Sequence, residues 1–70
     1  DGYLTLSIES LVGQPIDLTI SNISGAISHK TRISSLNVEQ IVDIMHLRPG
    51  AYLLYIEAQN QRYYKQIFLK

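Results

Sequence analysis

The sequence predicts an all-β fold, an antiparallel sandwich or barrel of five or six short strands. Three observations predict it. Apolar and polar residues alternate with a period of two in successive segments, as they do in strands with one face on a core and one in water. Turn residues punctuate those segments at regular spacing. The last third holds an almost unbroken apolar run, Leu53 to Ile56, followed by a short polar gap and a second strand-forming run.

The elements follow in order. Leu4, Leu6 and Ile8 share one face of the first strand, opposite Thr5, Ser7 and Glu9. After the break at Val12-Gly13-Gln14-Pro15, Ile16, Leu18 and Ile20 point one way, and Asp17, Thr19 and Ser21 the other. Asn22-Ile23-Ser24-Gly25 is a turn, with Asn22 and Gly25 the residues that tolerate positive φ. Residues 26–33 return as an edge strand, their pattern weakened by His29 and Thr31 between Ile27 and Ile33. Residues 36–47 read two ways. Val38, Ile41, Val42 and Met45 have helical spacing, and Asn37 with Gln40 resembles a capping box. Against that, Val42 and Ile44 alternate around Asp43 in a β-branched run.

Pro49-Gly50 suits the centre of a type II turn. Beyond it Tyr52, Leu54, Ile56 and Ala58 share one face, and Leu53, Tyr55 and Glu57 the other. Gln59-Asn60-Gln61 connects to the closing strand, with Asn60 the residue best suited to the left-handed region. Tyr63, Lys65, Ile67 and Leu69 form one side of that strand. A hairpin apolar on both faces is covered on both, or awaits a partner on one.

Composition narrows the function. Seventy residues make one small domain, residues 1–70, with a thin stability margin. The start at Asp1-Gly2, without methionine, suggests a fragment of a longer protein. No disulfide or thiolate metal site is available, because there is no cysteine. Six basic residues balance six acidic ones, so no general attraction to nucleic acid or an anionic membrane is expected. No run approaches the ~20 apolar residues that cross a bilayer as a helix.

Sequence motifs for catalysis are missing: there is no G-x-S-x-G, G-x-G-x-x-G, P-loop or H-E-x-x-H. His29 and His46 are distant in sequence. Were residues 38–47 helical, Glu39, Asp43 and His46 would share a face at i, i+4, i+7 and could bind a hard metal. A solvated polar face is the simpler reading. Arg62, Tyr63, Tyr64 and Lys65 invite a stacking platform for nucleic acid, but the two tyrosines have opposite parities. No catalytic residue, metal ligand or cofactor is expected.

The run V-D-I-M-H-L-R-P-G-A-Y-L-L-Y-I resembles the C-terminal sorting domain of cargo of the type IX (Por) secretion system of Bacteroidetes. Asp43, Leu47, Pro49, Gly50, Tyr52, Leu54 and Ile56 fall on that family's pattern, and Lys65, Ile67, Leu69 and Lys70 on its closing strand. Upstream, Asn22 and Gly25 fall on its middle turn, and Leu4, Leu6 and Ile8 fit its first strand. It departs from that pattern in three places: the family's usual Tyr-Pro-Asn-Pro-like opening is not seen before Asp1, Asn60-Gln61 replaces a glycine, and Tyr55 stands where a charged residue is common.

The resemblance implies a small immunoglobulin-like antiparallel β-sandwich of about six to seven short strands, with residues 38–45 extended. It implies a non-enzymatic address that directs a covalently linked upstream cargo domain through the outer membrane. The cargo would pass the periplasm and reach the cell surface or the medium. Its partners would be the secretion machinery (translocon, shuttle and sortase), with no nucleic acid and no direct membrane insertion. Tyr55, Tyr64 and Phe68 are the candidates for exposed recognition, with Lys65 and Lys70 at the rim. The alternative is an accessory adhesion or carbohydrate-binding module with tyrosines as a sugar platform.

Overall fold

The computed structural model describes residues 2–70; Asp1, at the expected fragment boundary, lies outside them. Six strands form: β1 (Tyr3–Leu6), β2 (Ile16–Asn22), β3 (Ile27–Ile33), β4 (Gln40–Asp43), β5 (Gly50–Glu57) and β6 (Arg62–Leu69). A single 3₁₀ turn, Glu9–Leu11, follows β1. All strand pairs are antiparallel, in a two-stranded sheet β1-β4 and a four-stranded sheet β3-β2-β5-β6. The expected small all-β sandwich is therefore the fold.

The core follows from period-two patterning. Ile16, Leu18 and Ile20 of β2 and Tyr52, Leu54 and Ile56 of β5 are all buried. The register sets Leu18 opposite Ile56 and Ile20 opposite Leu54. Leu6 and Val42 from the smaller sheet and Ile44 just beyond β4 join them, with Leu11 and Leu36 in the same buried cluster. Burial of each such side chain contributes about 1.5–3 kcal/mol, which a chain this small needs. The Tyr52 hydroxyl donates to the Arg48 carbonyl at 2.7 Å. A tyrosine bonding backbone a few residues upstream is the corner device of immunoglobulin-type sandwiches, and it satisfies the polar end of a buried ring.

The β2–β3 turn carries both of its sequence signals. Asn22 Oδ1 accepts from Ser24 N (3.0 Å), Ser24 Oγ (2.8 Å) and Ala26 N (3.0 Å). Gly25 supplies the positive φ, +93°. The Asn22 side chain and backbone both close the turn, with Asn22 N donating to Ala26 O at 2.9 Å and Gly25 N to Asn22 O at 3.0 Å. Asn22 itself does not take positive φ, since no described non-glycine residue does. The same fact corrects the expectation for Asn60. The weak pattern of β3 has a cause: the register shifts between Ile20 and Ser21, pairing them with His29 and Ile27. A bulge of this kind breaks the parity along a strand, so Ile27 is exposed while Ile33 packs on the core.

Residues 38–47 are not helical. β4 is a four-residue strand, with Val42 buried and Ile41 61 % exposed. The capping-box geometry forms without a helix: Gln40 Oε1 accepts the Asn37 N–H at 3.2 Å. The expected Pro49-Gly50 type II turn is also corrected. The hydrogen-bonded turn lies earlier, with Leu47 N donating to Ile44 O at 3.0 Å. Gly50 instead opens β5 at φ +150°, with no atom within 4 Å of where a Cβ would stand. Its requirement is conformational rather than steric crowding.

Candidate functional site: the β5–β6 hairpin and its free edge

The inner face of the hairpin joins the core through Tyr52, Leu54 and Ile56, with Ile67 and Leu69 packed against it. Ile67 lies opposite Tyr52, and Leu69 opposite Gly50. Here the expected hairpin-core residues come together. Leu47 also packs on the core. Asp43 acts locally, where its Oδ1 accepts the Met45 N–H at 3.0 Å and so shapes the chain leaving β4.

The outer face is laid out in rows by the register. Asp17, Glu57, Arg62 and Arg32 occupy one row, with Arg32 bonded to Asp17 at 3.1 Å and Arg62 to Glu57 at 3.4 Å. Exposed pairs of this kind stabilise by only ~0–1 kcal/mol. The next row holds Lys30, Thr19, Tyr55 and Tyr64, then Ser21, Leu53 and Gln66, then Ala51 and Phe68. The outer face thus runs from charged to apolar.

Tyr64 is 66 % and Phe68 70 % exposed, with Leu53 at 41 % between them. Tyr55 is half-buried rather than exposed. Its ring leans on Tyr64, with centroids 4.7 Å apart. Partial desolvation raises the Tyr55 hydroxyl above the ordinary tyrosine value, helped by the nearby Glu57 carboxylate.

Among the described residues one edge of β6 pairs with β5 and the other is free, and β1 likewise pairs only with β4. Two recesses run along the seam between these edges. One, of ≈ 250 Å³, is lined by Thr5, Leu6, Ile8, Leu54, Ile56 and Lys65 among others. The other, of ≈ 610 Å³, is lined by residues of β1 and by Lys65 to Lys70. Lys65 borders both. At the start of β6 the Tyr63 hydroxyl donates to Gln61 Oε1 at 2.8 Å and meets Ser10 Oγ at 3.2 Å, tying the 3₁₀ turn to the hairpin. An unpaired strand edge is a template for another strand, and a charge on the inward side of an edge strand discourages indiscriminate pairing.

The Glu39–Asp43–His46 cluster does not form, because its helix does not. Sequence reasoning also passed over a pair that the fold makes. His29 on β3 and His46 in the Ile44–Leu47 turn approach to 3.1 Å, Nδ1 to Nε2. They are 17 positions apart in sequence, and only the stacking of the two sheets joins them, so no local motif could have shown it.

No curated protein matches this chain. A sequence model of the family described as secretion system C-terminal sorting domain matches residues 1–70. That match runs the whole length of the chain, over the strands and the terminal hairpin just described. The chain therefore belongs to the secretion system C-terminal sorting domain family, whose members are sorting signals for type IX secretion rather than enzymes.

Proposed function

We propose that the β5–β6 hairpin is the address itself, and that it directs an upstream cargo domain through the periplasm and across the outer membrane. Membership of the family supports the coarser role, a C-terminal sorting signal that leads to the outer-membrane surface or the extracellular space, typically in Bacteroidetes. The observation that carries the finer reading is the last strand: β6 has a free edge, and beside it Leu53, Tyr64 and Phe68 lie exposed on one face. A partner strand adding to β6 would take up its unpaired backbone groups. The exposed aromatics would supply buried anchors, the residues that dominate binding energy at such contacts. Lys65 and Lys70, beside the seam, would discriminate among partners at the rim. The translocon and its shuttle are the partners on this reading, with a sortase acting on the delivered chain.

The test is a transport assay in a bacterium with a type IX system. Residues 1–70 are fused behind a periplasmic reporter, with a parallel fusion lacking Tyr63 to Lys70. Surface delivery of the intact fusion alone supports the reading. Equal delivery of both fusions would rule out β6 as the address. The rival role as an accessory adhesion or carbohydrate-binding module predicts binding of the isolated chain to a glycan array.

A further inference from the structure

The histidine pair lies away from the hairpin's outer face, at the rim where the two sheets meet. His29 is half-buried and stands opposite Ile20 on the bulged edge strand β3. His46 is exposed, two residues after buried Ile44, in the turn that follows β4. Their ring nitrogens are 3.1 Å apart, with centroids 4.9 Å apart and planes inclined by 48°. The centroid separation exceeds the nitrogen separation by less than two ring radii. The two nitrogens therefore meet at an angle rather than head-on.

The contact is a hydrogen bond between the rings, and its geometry is also one that two ligands on one ion would adopt. Imidazole nitrogen binds zinc at about 2.0–2.1 Å. Ligand–metal–ligand angles between octahedral and tetrahedral values then place two nitrogens about 2.9–3.4 Å apart. The observed 3.1 Å falls inside that window. In the metal-free pair one ring donates its N–H to the lone pair of the other; with an ion bound, each ring would give it a lone pair and the former donor would carry its proton on its other ring nitrogen. Among the described residues no group of three or more histidine, cysteine or carboxylate side chains gathers, so an ion held here would keep water in its remaining positions.

We propose that His29 and His46 form a two-imidazole site for a divalent transition-metal ion of the Cu²⁺ or Zn²⁺ class. Imidazole suits both ions, and Cu²⁺ binds tightest in the general order of divalent affinities. The ion clips β3 of one sheet to the turn after β4 of the other. It binds the folded chain and has no preformed pair in the unfolded one, so it stabilises the fold by mass action. A small chain without cysteine gains in this way a staple that its core does not supply.

Thermal melts of the 70-residue chain with CuSO₄, ZnSO₄ or EDTA test this independently of sorting. At a metal concentration tenfold above Kd, Tm should rise by about 5–10 °C. Titration should end at one ion per chain. The shift should vanish in His29→Gln and in His46→Gln. No shift in the unsubstituted chain, or an undiminished shift in either variant, overturns the site. Should a variant melt too low to compare, electron paramagnetic resonance of Cu²⁺ on the unsubstituted chain decides. Splitting from two nitrogens supports the pair, and its absence overturns it.

Discussion

The two faces of the four-stranded sheet divide the labour of the chain. On the inner face Ile16, Leu18, Ile20, Tyr52, Leu54 and Ile56 are all buried, and the polar hydroxyl of Tyr52 is satisfied by backbone. On the outer face the same β5 exposes Leu53, and β6 exposes Tyr64 and Phe68. Apolar residues appear on both faces, but only one has a layer over it. The inner set folds the chain; on the proposed reading the outer set is what meets another surface. Apolar area left in water contributes nothing to folding, so substitutions in that second set can test recognition without unfolding the chain.

Graded substitutions separate the two faces. Leu18→Ala removes a side chain that is fully buried at the centre of the sheet. It should cost about 2–5 kcal/mol, a large share of the stability of so small a domain. Urea denaturation measures it, and a loss below about 1 kcal/mol would mean that the inner face is not the folding face. Gly50→Val is the next largest. A β-branched residue at φ +150° carries backbone strain of about 1–3 kcal/mol, at the residue that sets the start of β5. The melting temperature should fall, and an unchanged one would dismiss the conformational role of Gly50.

Asn22→Ala should have the smallest effect. It removes the acceptor for three turn hydrogen bonds, about 0.5–2 kcal/mol by analogy with side-chain caps. The turn connects β2 and β3, on the side of the sheet remote from β6. Asn22→Ala should therefore lower Tm while surface delivery of a fused reporter is retained at temperatures where the chain stays folded. Loss of delivery from the folded variant would extend the address beyond the hairpin.

Much of this was legible in the sequence, wherever side-chain parity is unbroken. β1, β2, β5 and β6 fall where alternation puts them, because one buried face fixes a strand's register. The inner positions Tyr52, Leu54, Ile56, Ile67 and Leu69 were readable for the same reason. β3 was obscured by its bulge, which shifts parity between His29 and Ile27. β4 was obscured by length: four residues carry too few alternations to exclude a helix, and Gln40 makes its capping bond to Asn37 without one. The turn at Ile44–Leu47 was hidden behind the stronger signal of Pro49-Gly50, which belongs to the entry of β5. The free edge of β6, the seam beside β1 and the His29–His46 pair depend on how the strands order and stack, and no local pattern encodes that.

The decisive measurement is delivery of a reporter fused to residues 1–70 carrying Tyr64→Ser and Phe68→Ser together. Both side chains are mostly exposed and lie outside the core, so the melting temperature of the variant should match the parent within a few degrees. The domain should fold, and its cargo should remain in the periplasm. Surface delivery equal to that of the parent, from a folded variant, would refute recognition through these aromatics and return the outer face to the role of plain surface.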